Sequence, residues 1–179
     1  MRKLIESTFV TTNGVIENPQ DWSGPYWDDE HAGYSAALME NVEGQVLGRV
    51  TYEAFAEAWG SRAGDPVADS FNAMPKWVAS RTITETTWNA QLLEGDVAEA
   101  VKRLKEEDGG DLIKFGTGSF SKTLLENKLV DEYHFWIFPV LASGPKLFDN
   151  LDIDITHLEL LGTTTFKSGI VVHKLGPKA

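Results

Sequence analysis

The stretch Gln45-Val46-Leu47-Gly48-Arg49-Val50-Thr51-Tyr52 decides the architecture. A short apolar strand ends at a glycine, and a helical pattern then runs from Thr51 to Trp59. Gly48 lets a backbone approach a ligand closely, and a helix start offers unpaired N–H groups and the positive end of a dipole. Arg49 adds a permanent, forked donor suited to phosphate. The pattern comes back twice. Val78-Ala79-Ser80-Arg81-Thr82 carries hydroxyls and a guanidinium off a strand end. Ile113-Lys114-Phe115-Gly116-Thr117-Gly118-Ser119-Phe120 leads a strand through a glycine turn into a helix. Ligands of open α/β sheets lie outside the carboxyl ends of the strands, so these turns are expected to share one rim.

Outward from these turns, strands and helices alternate. Lys3 to Thr11 reads as a strand, followed by turn chemistry in Asn13-Gly14-Val15-Ile16-Glu17-Asn18-Pro19. Asp28-Asp29-Glu30 precede Tyr34, Leu38 and Val42, whose spacing of four predicts a helix with acids in its first turn. Asp65 to Ala73 reads as a helix and Lys76 to Ser80 as a strand. Asp96-Val97-Ala98-Glu99 resembles a capping box opening a helix that closes at Gly109-Gly110. Asp111 to Phe115 is a strand, and Ser119 to Asn127 a helix. Beyond Val130 the chain turns β-rich, over Asp131–Val140, Thr156–Phe166 and Gly169–Lys174. Alternation followed by consecutive strands predicts a mixed sheet, mostly parallel, with antiparallel strands added at the C-terminal end. The run Tyr133-His134-Phe135-Trp136-Ile137-Phe138 predicts a strand covered on both faces, by helices or by a second subunit.

Composition narrows the function. The chain has 179 residues, a formal net charge of −11 and no cysteine. The length predicts one domain over residues 1–179. Absent cysteine excludes disulfides, thiolate metal sites and cysteine nucleophiles. The acidic balance argues against nucleic-acid binding, and no apolar run approaches the roughly 18 residues of a membrane span. A cytoplasmic protein is expected. His31, His134, His157 and His173 do not stand at metal-ligand spacing, and His134 reads as having no acidic neighbour on its strand face, so no metal is expected. No Gly-Xaa-Ser-Xaa-Gly elbow exists. Ser121 stands where a third glycine would complete a dinucleotide fingerprint after Gly116 and Gly118. In so acidic a chain an anion site must be built locally, since long-range repulsion is screened only beyond about 8 Å.

Several segments together carry a family resemblance: Leu47-Gly48-Arg49-Val50-Thr51-Tyr52-Glu53, Ser80-Arg81-Thr82, Gly116-Thr117-Gly118-Ser119, Leu129-Val130-Asp131-Glu132, and Pro139-Val140-Leu141-Ala142-Ser143-Gly144-Pro145-Lys146-Leu147-Phe148. In order and spacing, nearly end to end, the chain resembles the dihydrofolate-reductase-like family typified by the RibD C-terminal reductase domain of riboflavin biosynthesis. The resemblance implies a three-layer α/β/α fold and an NADPH-dependent reductase of a planar nitrogen heterocycle. The type activity is that of 5-amino-6-(5-phosphoribosylamino)uracil reductase. By the same resemblance Leu47, Gly48, Arg49 and Thr51 would line the cofactor's phosphate side. Ser80 and Arg81 would meet the adenosine 2′-phosphate, and Gly116, Thr117, Gly118 and Ser119 would hold the pyrophosphate. Gly14, Val15 and Ile16 would border the nicotinamide.

The chain also departs from its relatives. Asn13 stands where many of them carry Asp, and no deaminase zinc signature is present. Candidates for proton chemistry are Asn13, Asp29 and Glu30, beside Asp28 in the same helix start. Trp22, Tyr26 and Trp27 either stack on a flat heterocycle or belong to the core. Dihydrofolate reduction and a non-catalytic NADPH-binding module are the alternative functions. A homodimer through the aromatic strand near Trp136 is the expected assembly.

Overall fold

The structure, a computed structural model, describes residues 1–178. One eight-stranded sheet organises the chain, in the order β4-β3-β2-β5-β1-β6-β8-β7. Its strands are β1 (Leu4–Thr11), β2 (Val42–Gly48), β3 (Lys76–Ala79), β4 (Ala90–Leu92), β5 (Asp111–Phe115), β6 (Glu132–Phe138), β7 (Leu158–Thr165) and β8 (Val171–Pro177). The strands from β4 to β6 in that order pair parallel, while β8 and β7 pair antiparallel at one edge. The helices are α1 (Asp29–Met39), α2 (Arg49–Trp59), α3 (Pro66–Ala73), α4 (Val97–Glu106) and α5 (Ser119–Glu126).

Alternation along each strand sorts the side chains into two apolar layers. Leu4, Val10, Val46 and Leu112 face α4 and α5, packing with Val101, Leu104 and Leu124. Ile5, Ile113, Leu47 and Val78 face the other way, towards α1, α2 and α3. The result is the expected three-layer α/β/α fold.

Three helices start behind acidic caps. Asp28 accepts from the His31 N–H at 2.8 Å, Asp65 from Val67 at 2.9 Å and Asp96 from Glu99 at 3.0 Å. Behind the Ser80-Arg81 turn, β3 is anchored by Lys76, whose fully buried ammonium donates to the carbonyls of Phe71, Asn72 and Met74. Those acceptors belong to the C-terminal end of α3, where a cation is favoured.

Some boundaries differ from the sequence reading. The helical spacing through Tyr34, Leu38 and Val42 breaks at Met39, and Val42 opens β2 instead. There Asn41 O accepts from Asp111 N at 2.7 Å, so ladder pairing to β5 overrides the local periodicity. The helix expected from Thr51 begins at Arg49. Strand β4 has no counterpart in the reading, since three residues carry no period. The C-terminal strands begin one or two residues later than expected, and the last runs on to Pro177.

Strand β6 is covered on both faces from within the chain: Trp136, only 1 % exposed, packs against Phe9, Tyr34 and Phe166, while Tyr133 and Phe135 belong to the opposite layer. A homodimer, the expected assembly, would therefore need a surface other than this strand. Its aromatic surface is spent inside the fold and is not offered to a second copy.

Candidate functional site

Parallel strands bring their carboxyl ends to one edge of the sheet. Gly48 at the end of β2 pairs in register with Ala79 of β3, and Phe115 of β5 pairs with Ser7 of β1. The Ser80-Arg81 turn, the Gly48-Arg49 turn, the Gly116–Ser119 turn and the loop after Thr11 therefore follow one another along a rim. From β3 to β1 it spans three strand spacings, about 14 Å.

Within each turn local bonding fixes what is offered. Gly48 caps α2, and a Cβ there would lie 3.8 Å from Phe120, so this turn packs against the start of α5. Thr51 joins the two turns, its hydroxyl donating to Phe115 O at 3.4 Å. Arg49 pairs with Glu53 at 2.9 Å on the half-exposed surface of α2. Such a pair contributes under about 1 kcal/mol and opens readily for a stronger anion. The Ser80 hydroxyl accepts the N–H groups of Thr82 and Ile83, so it turns the chain. Arg81 is exposed and has no acidic partner among the described residues. Gly116 sits at φ +69°, where a glycine is needed. A Cβ at Gly118 would meet nothing within 4 Å, so the space before α5 stands open.

Not every expected residue faces outward. Leu47 and Val15 are fully buried and present no side chain to a ligand. Gly14, at φ +94°, and Val15 form a tight turn on Thr11, and Val15 bridges to Lys146. Asn13 is a clamp. Its Nδ2 donates to Ala142 O at 2.7 Å, and its Oδ1 accepts from Ala142 N and the Thr11 hydroxyl. Both amide functions hold the 139–148 segment, and a carboxylate could supply only the accepting half.

The helix acids separate in the same way. Asp28 caps α1, and Glu30 accepts from Lys167 N at 2.7 Å, pinning the turn between β7 and β8. Asp29 has no protein partner among the described residues. Trp22 and Tyr26 pack edge-on against Phe138 and belong to the core, whereas Trp27 is 60 % exposed and stacks on the buried His31 at 4.9 Å.

His134 requires a correction. Glu132, two residues earlier on the same strand face, approaches its Nε2 at 3.4 Å, and Tyr34 OH meets its Nδ1 at 2.8 Å. Glu132 also takes Lys3 and Lys174, each at 2.8 Å. Burial alone would raise the Glu132 carboxyl, but hydrogen bonds from Lys174, Lys3 and His134 hold it at about 2. Burial lowers His134 despite Glu132, and burial lifts Tyr34 to about 12. This cluster borders a cavity of about 300 Å³ at the opposite, amino end of the strands. Another cavity, of about 430 Å³, lies between α4 and the loop after α5. Neither borders the rim. Among the described residues no group of three or more His, Asp or Glu side chains is placed to hold a metal, and no helix is long and apolar enough to cross a membrane.

Comparison with known proteins puts this geometry in context. The family model of the RibD C-terminal domain matches residues 2–172. The chain belongs to the RibD C-terminal domain family. It is 29% identical to the uncharacterised protein YyaP of Bacillus subtilis, over 95% of this chain and 92% of that one. Among solved structures, a putative riboflavin biosynthesis protein from Shewanella superposes with a TM-score of 0.77 at 21% identity, covering 99% of both chains. Dihydrofolate reductase from Enterococcus faecalis, solved with NADP(H), superposes with a TM-score of 0.64 at 15% identity, covering 99% of this chain and 97% of that one. At these identities the superpositions establish a common fold. The RibD C-terminal membership agrees with the sequence resemblance, and the family's reductase chemistry frames the reading of the rim.

Proposed function

We propose that this protein is an NADPH-dependent reductase of a planar nitrogen heterocycle, pyrimidine-like or pterin-like. One observation carries the reading: four turns of donor chemistry leave adjacent parallel strands on one rim, with Arg81 unpaired among the described residues and the space before α5 open. These residues fit a coenzyme with two phosphate groups to hold. Arg81, a charged fork without a protein acid, suits the dianionic 2′-phosphate. Thr117 and Ser119 present backbone N–H groups at the start of α5 for the pyrophosphate, while Gly116 and Gly118, whose N–H groups bond Ser7 O and Ser121 Oγ, shape the turn and leave room for it. Gly48, Arg49 and Thr51 flank it, Arg49 exchanging Glu53 for phosphate. Gly14 and Ile16 form the side facing the nicotinamide.

When bound, NADPH supplies the hydride. The chain's own contribution is to orient and enclose the reactants. The 139–148 segment, held by Asn13, walls the end of the rim beside Gly14 and Ile16. Asp29 is the acid of the α1 start left free to face a heterocycle or to order a water beside it. The Asn13 and Glu30 side chains are engaged in holding loops, which makes them supports rather than proton carriers.

Calorimetric titration with NADPH, followed by stopped-flow mixing of the loaded protein with aminopyrimidine and dihydropteridine substrates, tests the reading. Binding followed by loss of nicotinamide absorbance is expected. Absence of binding heat overturns it, and binding without oxidation by any heterocycle replaces it with a non-catalytic NADPH-binding module. Turnover of dihydrofolate with none of the ribosylaminouracil would place the activity on the folate side.

A further inference from the structure

Beneath the glycine turn lies a charged pair that the rim does not display. Glu6 of β1 and Lys114 of β5 are direct partners across the parallel ladder. They are 0 % and 2 % exposed, within the apolar layer of Leu4, Leu112 and Leu124. The Lys114 ammonium donates to Gly116 O at 2.5 Å and to Ser121 Oγ at 2.7 Å, and stands 3.4 Å from Glu6 Oε2. Glu6 Oε1 accepts from the Thr117 hydroxyl at 3.2 Å, which also meets Thr8 Oγ1 at 3.1 Å. Ser121 Oγ in turn accepts from Gly118 N at 3.2 Å.

Stability does not explain such a pair, because well-packed apolar residues in its place are often as stable or more so. Geometry does. A trans peptide is planar, with its C=O and N–H pointing in opposite directions. The ammonium draws Gly116 O inward, so the N–H of Thr117, on the same peptide, points to the open side of the turn. That N–H has no acceptor among the described residues. Glycine's freedom at position 116 would equally permit the peptide to turn over. The carbonyl oxygen would then face the rim and repel an anion. Burial pushes the Lys114 pKa down and Glu6 pulls part of the way back, and an ammonium or an amine alike has N–H groups to give Gly116 O.

We propose that Lys114 is a positioning residue for the anion-binding turn: its bond to Gly116 O fixes the 116–117 peptide with the N–H outward, towards a bound phosphate. This rests on the cofactor reading above. Lys114 touches no ligand, and its effect is transmitted through one peptide plane.

The test compares three proteins by titration with NADPH and with adenosine 2′-monophosphate, which lacks the pyrophosphate. Lys114→Met with Glu6→Gln removes both charges while keeping shape, and should weaken NADPH about tenfold or more. The 2′-monophosphate should bind that variant as it binds the wild type. Glu6→Gln alone retains the Lys114 donor and should lose no more than about threefold. In the wild type, the Thr117 amide should be among the resonances most displaced by NADPH in proton–nitrogen correlation spectra, a readout that needs no variant to fold. Unchanged NADPH affinity in the double variant overturns the proposal. So does equal weakening of the 2′-monophosphate, equal loss in Glu6→Gln alone, or an unmoved Thr117 amide. Wild-type protein that binds no NADPH overturns the cofactor reading, and this inference with it. Wild-type binding with an indifferent double variant overturns this inference alone.

Discussion

The two ends of the parallel strands are built on opposite electrostatic plans. At the amino end nearly every charge is matched: Glu132 takes Lys3, Lys174 and His134, Asp131 takes Lys105 and the Leu4 N–H, and Asp111 takes the Lys3 N–H. At the carboxyl end, among the described residues, Arg81 is unmatched, Arg49 is held by an exposed pair, and the Thr117 N–H is unbonded. A matched cluster adds to stability and leaves nothing for a ligand. An unmatched rim contributes little to folding and keeps its donors for an outside anion. The difference separates cohesion from recognition within one sheet.

The largest expected effect lies at the matched end. Glu132→Gln leaves two lysines without their carboxylate and should cost about 3 kcal/mol in urea unfolding, with NADPH affinity unchanged. The same group sets an acid limit. Its folded pKa, about 2, lies below the ordinary value of 4.5. Its stabilisation is therefore complete above about pH 4.5 and is lost as the pH falls towards 2, a slope the Gln variant should lack. If Glu132→Gln weakened NADPH instead, the two ends would not be separable.

At the other end the reverse pattern is expected. Gly118→Val places a side chain in the open space before α5. It should weaken NADPH about thirtyfold while lowering stability by no more than about 1 kcal/mol, the cost of a poorer helix start. Arg81→Ala should weaken NADPH about tenfold and NADH hardly at all, with no change in unfolding midpoint. Equal losses for both cofactors would remove Arg81 from the 2′-phosphate. The smallest effect belongs to Glu30→Gln, which weakens one exposed bond to Lys167 N and should cost under about 1 kcal/mol with turnover unaffected. A large loss of turnover there would transfer the proton role from Asp29.

Local chemistry made much of this legible in advance. Asp28, Asp65 and Asp96 marked three helix starts, and alternation of strands with helices gave the layers and the common rim. What escaped notice depended on neighbours distant in sequence. The Val42 strand continued a helical spacing, and only pairing with β5 ended the helix before it. Glu6 and Lys114 stand 108 residues apart, so no motif could couple them. Asn13 looked like a lost carboxylate until its two-sided clamp on Ala142 was visible. The Glu132–His134 contact was within reach, because residues two apart on a strand share a face. The sequence reading of His134 overlooked that rule.

Strand β1 lies between β5 and β6 in the sheet, its residue Leu4 opposite Leu112 and Ile5 opposite Glu132. On the ribosome, β1 must therefore wait for more than a hundred further residues before either neighbour exists, on the order of 5–20 s at ordinary elongation speeds. Through that interval the apolar Leu4, Ile5, Phe9 and Val10 have neither partner strand to pair with, the kind of exposed surface that makes slow, long-range pairing prone to aggregation.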